Sequence, residues 1–354
     1  MNSIAEVSLP RLLHNFRILE SLLKPGVRVM CVVKADAYGH GSVPVARTLE
    51  PVTDCFAVVN VEEAIALRDG GIKKDILVFA PPDPGTSSAY RIHNLTAVVS
   101  DAAHFEMLAP GTTYHVEFDT GMGRLGMAPA LAGKVKEKIR AFPHLHCGGV
   151  MTHFASADIP AQKAKTREQI ALFGDIRLSF NDMPGLLFHA ANTAGILCFP
   201  EAQYDMVRPG LGLYGYDSSL VTESRLKPVL QWKSHVTLCK RIGRGRTVSY
   251  GATWTAPVDG YLGVIPVGYA DGFKRSLSGK TKVRIQNEFY PVVGRVTMDF
   301  IMVFLGDKKV NPGTAVSLLD DQDNNADVWA GLLDTIAFEI LCGLHNRVKR
   351  VYLQ

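Results

Sequence analysis

The sequence is short of cysteine and has no CxxC pair: its six cysteines, Cys31, Cys55, Cys147, Cys198, Cys239 and Cys342, lie far apart. That spacing argues against a disulfide framework and against paired-thiol metal sites; cysteines inside apolar runs read as buried free thiols in a reducing cytoplasm. No apolar stretch reaches the roughly 18 residues that a membrane-spanning helix needs. The segment from Met1 to Pro10 contains Glu6 and lacks the basic-then-apolar layout of a signal peptide. No run of Lys or Arg occurs, and 38 basic against 34 acidic residues leave a formal charge of only +4. Nucleic-acid binding therefore has no support; a mild pull on small anions is all the charge offers. Internal repeats and low-complexity tracts are also missing.

What is present is the balance of a soluble globular protein, 47% hydrophobic and 20% charged, in a chain of 354 residues that accommodates two domains. The first two-thirds alternates short apolar runs with longer amphipathic ones. Eight runs read as strands: Val27–Val33, Cys55–Asn60, Asp75–Ala80, Leu95–Ser100, Thr113–Asp119, Cys147–His153, Gly185–Asn192 and Tyr204–Arg208. Between them Val61–Asp69, Ala128–Arg140 and Ala161–Asn181 carry apolar residues at helical spacing. Strands alternating with helices predict parallel βαβ units, and eight units in this length predict a (β/α)₈ barrel, TIM-type, over residues 9–225.

After about Leu226 glycine and proline punctuate short runs, Gly260–Val267, Lys282–Ile285, Tyr290–Val293 and Phe300–Leu305, with one helical segment near Val328–Leu341 that starts after Asp327. This predicts a mainly β C-terminal domain over 226–354, joined by the N-terminal strand Ile4–Ser8.

Barrels of this kind carry their reactive groups at the C-terminal strand ends. Here five of the eight runs end in polar groups. The first reaches Lys34, in Val33-Lys34-Ala35-Asp36-Ala37-Tyr38-Gly39-His40-Gly41, and the fifth ends at Asp119, followed by the loop holding Arg124. The sixth reaches His153, the seventh Asn192-Thr193, and the eighth Arg208-Pro209-Gly210. A lysine at a strand end can pack its stem and keep its head in water. As a neutral amine it can instead form a Schiff base with an aldehyde cofactor and later act as a base. The small residues that follow allow a ligand to approach the backbone closely. Thr193 at a helix start and the Gly210 amide sit in the loops after strands seven and eight, a common phosphate position in barrels.

The segments VVKADAYGHG, DTGMGRLG, THFASAD, AANTAG, RPGLGLYG, SYGATW, PVGYADG and GRVTMD, in this order, resemble the motifs of alanine racemases over nearly the whole chain. The resemblance implies a pyridoxal 5'-phosphate enzyme that interconverts L- and D-alanine, supplies D-alanine for peptidoglycan, and works as a homodimer with a shared active site. It implies that Lys34 holds the cofactor and serves as the base on one face of the substrate. Tyr250, in Ser-Tyr-Gly, matches the base on the opposite face, supplied by the other subunit. A tyrosine with an ordinary pKa of about 10 needs a cationic neighbourhood to act near neutrality, and His153 and Arg208 match that neighbourhood.

Arg208 also resembles the partner of the pyridine nitrogen. An arginine does not readily give that nitrogen a proton, so the ring is a weaker electron sink and side reactions are limited. Tyr38, Thr193 and Gly210 carry over as phosphate contacts, with Asn192 beside them. Arg124 and the Met298 backbone carry over as substrate-carboxylate contacts, and Tyr269 and Asp299 as residues of the dimeric entrance.

Two positions depart from the pattern. Glu117 stands where many members carry a lysine that can be carbamylated, and a permanent carboxylate there is expected to orient Arg124. Asn346 stands where many carry a tyrosine, which leaves serine as a rival substrate. A barrel-type decarboxylase of basic amino acids would need a cysteine that is not evident, while a non-catalytic cofactor carrier would not need the long β domain or Tyr250.

Overall fold

The computed structural model describes residues 3–217 and 225–354. The chain divides into two compact units. The barrel unit holds Leu13–Ala37 and Ser42–Leu226; the β unit holds the N-terminal stretch through Leu12, Tyr38–Gly41 and Lys227–Gln354.

Strand β1 (Ile4–Ser8) belongs to the β unit. The barrel is built from β2 (Arg28–Val32), β3 (Cys55–Val58), β4 (Asp75–Val78), β5 (Leu95–Val99), β6 (Thr113–Glu117), β7 (His146–Met151), β8 (Leu187–His189) and β9 (Met206–Val207), closed by pairing of β9 with β2. Their neighbours pair in parallel, and all four residues of β3 are buried. That explains why strands such as β3 read as short apolar runs: in a barrel wrapped by helices both faces are covered. All eight expected strands are present, the last two trimmed most. Asn192, the expected end of the seventh run, instead caps a helix, and in the eighth run the Asp205 carboxylate is turned to the Phe188 N–H at 2.8 Å.

Helix Val61–Asp69 forms over the expected residues, its start fixed by Asn60, whose side chain accepts from the Glu63 N–H at 2.9 Å. The Ala128–Arg140 run divides into a 3₁₀ turn, Pro129–Leu131, and a helix, Ala132–Ala141. The Ala161–Asn181 run yields the helix Lys163–Ser179.

In the β unit, β1 runs antiparallel to β10 (Leu230–His235) and parallel to the C-terminal strand Lys349–Leu353, within a nine-stranded sheet. The expected pairing of Ile4–Ser8 with the β domain is thus found. Its core is aromatic: Trp232, Phe273 and Trp329 are fully buried, with the Phe273 and Trp329 rings edge to face at 4.8 Å. The helical segment expected near Val328–Leu341 is in fact two helices, Ala326–Leu333 and Ala337–Cys342. Asp334 takes a left-handed conformation and ends the first. Nor does that helix start after Asp327: Asn325 accepts from the amides of both Asp327 and Val328, which moves the start back to Ala326.

Candidate active site

Lys34 follows the buried end of β2 and opens a helical turn, Lys34–Gly39, of unusual hand. Ala35, Asp36, Ala37 and Tyr38 have φ between 52° and 54°, the left-handed region. For L-residues this conformation costs roughly 1–2 kcal/mol each, so neighbouring bonds must hold it. The Ala35 N–H donates to Glu63 Oε1 at 2.8 Å and the Ala37 N–H to the Val33 carbonyl at 2.9 Å. The Asp36 carboxylate accepts from the Ser42 N–H at 2.7 Å. Glu63 also accepts the Val59 N–H at 3.0 Å, so one carboxylate ties the lysine turn to the end of β3. Lys34 is half-buried, with Nζ 5.9 Å from the centre of the Phe79 ring. Within the β unit, Tyr38 is buried with its ring 5.3 Å from that of Phe338.

Arg208, just past β9, is 2% exposed and heavily bonded. Its guanidinium donates to the carbonyls of Thr152 at 2.7 Å and Ala190 at 3.0 Å, to His189 Nδ1 at 2.6 Å and to His153 Nδ1 at 3.3 Å. Nη2, with two hydrogens, serves three of these acceptors and Nη1 spends one hydrogen on His189, so of the five N–H donors the Nε–H and one Nη1–H are left for a ligand atom. Burial lowers its pKa to about 10, which keeps it cationic at neutral pH. Burial, followed by the charges of Arg208, Arg124 and Lys34, pushes His153 down to about 3. His153 is therefore a neutral imidazole, and the positive charge expected from it falls to Arg208.

Thr193 starts the helix Thr193–Cys198, with Asn192 as its cap accepting from the Gly195 N–H at 2.9 Å. The Thr193 hydroxyl accepts from the amides of Gly210 and Gly212, both at 3.1 Å. The Gly210 N–H, expected to face an anion, is thus bonded within the protein. With two amides on its oxygen, the Thr193 hydroxyl proton is the group left to donate outward. A side chain at Gly212 would run into the Thr193 methyl at 2.8 Å, so glycine is needed for this approach.

Beyond β6 the Asp119 carboxylate gathers the amides of Gly121, Met122 and Gly123 at 2.8–3.0 Å and shapes the loop that presents Arg124 to solvent. Glu117 is 4% exposed and its Oε2 accepts from the Ser100 hydroxyl at 2.9 Å. Burial raises its pKa, opposed by Ser100, Arg208 and Arg124. Among the described residues no ion pair joins Glu117 to Arg124, so the carboxylate reaches that arginine only through space.

The β unit carries a second group. Tyr250 is 73% exposed and flanked by Ser249, Gly251 and Ala252, all with positive φ. Ser249 fastens the turn by donating to the Arg295 carbonyl at 2.7 Å. Tyr250 and Thr297 line a surface hollow of about 670 Å³ together with Lys240, Arg246 and Phe300. Met298 is exposed, and its carbonyl accepts from the Ala270 N–H at 3.1 Å, next to the exposed Tyr269. Arg347 bridges Asp299 at 2.9 Å and Asp271 at 3.4 Å, beside the exposed Asn346.

The family model "Alanine racemase, N-terminal domain" matches residues 7–218 and "Alanine racemase, C-terminal domain" matches 229–352. The chain belongs to the alanine racemase family. It is 39% identical to the alanine racemase of Treponema pallidum over 376 residues, 99% of either chain. It is 38% identical to that of Symbiobacterium thermophilum, covering 98% of this chain and 96% of that one. Among solved structures, the alanine racemase of Clostridium difficile 630 matches with a TM-score of 0.94 at 31% identity, covering 100% of this chain and 96% of that one.

Within this racemase fold the structure brings Lys34, Arg124 and Arg208 each within electrostatic reach of His153 in the barrel unit. Tyr250, Tyr269, Met298 and Asp299 lie in the β unit. Sequence reasoning missed Glu63, Ser100, His115 and His189. Glu63 had a signal, its place three residues after the Asn60 cap, where a carboxylate commonly serves a helix start. The two histidines had one too: each interrupts an apolar parallel strand, where an imidazole must find a partner.

Proposed function

We propose that the chain interconverts L- and D-alanine with pyridoxal 5'-phosphate as cofactor, Lys34 and Tyr250 acting as bases on opposite faces of the α-carbon. The observation that carries the reading is the placement of Lys34 on a strained turn in the same barrel as an arginine that is buried, cationic and held by two carbonyls and two imidazoles. The donor set fits the cofactor: an amine for its aldehyde, one Arg208 N–H for its ring nitrogen, and the Thr193 hydroxyl proton for its phosphate. When bound, the cofactor supplies the covalent attachment and the electron sink for charge developing at the α-carbon.

Lys34 Nζ takes or returns the α-proton on one face, and Tyr250 Oη does so on the other. Arg208 keeps its charge but does not transfer a proton, which limits the sink. Arg124 binds the substrate carboxylate, and Asn192 positions Thr193 through the helix cap. Tyr38 and Gly210 are assigned to the phosphate on the sequence resemblance, and Met298, Tyr269 and Asp299 to the substrate entrance on the same ground. The large exposure of Tyr250 and the hollow beside it favour a homodimer in which this tyrosine serves the other subunit. No helix among the described residues is long and apolar enough to cross a membrane, and all six cysteines are free, which supports work in the cytoplasm on a small amino acid. D-alanine for peptidoglycan is the product's destination in this reading.

The test is chiral analysis of L-alanine and L-serine after incubation with the protein and pyridoxal phosphate. Conversion of L-alanine to the racemate is expected, with serine slower. Bound cofactor without inversion of either amino acid would overturn the proposal.

Glu117 gives a prediction of two signs. Its pKa is raised in the folded chain, so its protonated form is the better folded one, and the protein loses stability as pH rises through that raised value. Glu117→Gln is therefore expected to raise the melting temperature at pH 8 and to leave it nearly unchanged at pH 4. The same change weakens the field on Arg124 and raises KM for alanine severalfold. Thermal unfolding at both pH values and steady-state kinetics check the two signs separately.

A further inference from the structure

Two buried histidines behind Arg208 have no part in the proton transfers above. His115 lies on β6 and His189 at the end of β8, 7% and 0% exposed. His189 Nδ1 is 2.6 Å from an Arg208 guanidinium nitrogen, and His189 Nε2 is 2.8 Å from His115 Nδ1.

The direction of these bonds follows from the chemistry of one end. An arginine only donates, so His189 Nδ1 must accept. A neutral His189 then carries its proton on Nε2 and donates it to His115 Nδ1. His115 in turn is left with its proton on Nε2. Burial and the nearby Arg208 charge hold both rings neutral, His115 at about 4 and His189 well below the usual histidine range. Every N–H in the row points away from the guanidinium, the arrangement in which successive bonds polarise one another in a cation's favour. The row ends at the other mouth of the barrel, where His115 lines a cavity of about 180 Å³ with Arg28, Asp54, Asp75, Thr96 and Thr113.

We infer that His115 is a positioning residue for the racemase reaction, fixing the tautomer of His189 and thereby the place and charge of Arg208. The inference rests on the proposed function for its catalytic consequence, but its structural part stands apart from it. Without His115, the His189 Nε2–H has no acceptor in a fully buried place. The ring can relieve this by moving its proton to Nδ1, which sets an N–H against the Arg208 N–H and displaces the guanidinium.

The experiment is ¹⁵N NMR of histidine-labelled protein, without and with pyridoxal phosphate, for wild type, His115→Asn and His115→Leu. Asparagine keeps an acceptor near the Nδ1 position; leucine removes it. Wild type is expected to show His189 and His115 as Nε2–H tautomers, with His189 unchanged in His115→Asn and altered in His115→Leu. In the cofactor-loaded enzyme, His115→Leu should lower kcat about tenfold with little change in KM, and His115→Asn should recover most of it. An Nδ1–H or protonated His189 in wild type overturns the inference, as does a His189 signal indifferent to His115→Leu. If His115→Leu does not fold, the wild-type and His115→Asn tautomers still decide. Failure of wild type to racemise alanine would sink the proposed function while leaving the tautomer result intact.

Discussion

Lys34→Ala is expected to abolish racemisation, with a loss of at least about 10⁴-fold in kcat, because in the proposed mechanism it removes both the covalent attachment and one of the two bases. The protein should still fold. Lys34 is half-buried at a strand end, and backbone and carboxylate bonds at Ala35, Ala37 and Asp36 hold its turn. Absorbance spectroscopy with pyridoxal phosphate, alongside far-UV circular dichroism, checks both halves. Residual activity within tenfold of wild type would mean that another amine carries the cofactor.

The second large effect belongs to Tyr250. Tyr250→Phe deletes one oxygen from a side chain that is 73% exposed, so its cost in stability is expected to be within about 0.5 kcal/mol. Removal of a general base typically costs 10²–10⁴-fold, and that is the predicted fall in kcat for racemisation. Cofactor binding should be unaffected, because every cofactor contact assigned from the structure's bonds lies in the barrel unit. The comparison separates chemistry from folding: a variant that folds and loads normally but does not invert alanine has lost a base.

The barrel was legible because its strands are buried on both faces, which writes most of them as mainly apolar runs of four to eight residues. The strand-end position of Lys34 was legible for the same reason, since a charge at the close of such a run stands out. The conformation of the next residues was not. Nothing in Ala-Asp-Ala-Tyr announces four successive left-handed residues; the turn is held locally by Val33 and Asp36 and, across 28 residues of sequence, by Glu63, a contact set only by tertiary structure.

The break at Asp334 was hidden by apolar spacing that continues across it in Ile336, Ala337 and Ile340. Thr193 and Gly210 were each readable as lining an anion site, but their bond to each other depends on two loops meeting. Glu117 was read as a partner for Arg124, while the group that it touches is Ser100, at the end of a neighbouring strand and 17 positions away in sequence. His115 and His189 stand in line with Arg208 only because the closed barrel brings their two strands together across its interior, 74 positions apart in sequence.

The division of labour between Lys34 and Tyr250 is tested most directly by deuterium wash-in at the α-carbon, starting from L-alanine and from D-alanine in separate reactions, in wild type and Tyr250→Phe. Wild type should exchange both enantiomers. The variant should keep exchange from one enantiomer, through Lys34, and lose it from the other. Equal exchange from both enantiomers in Tyr250→Phe would contradict the two-base account, since a single base would then be serving both faces.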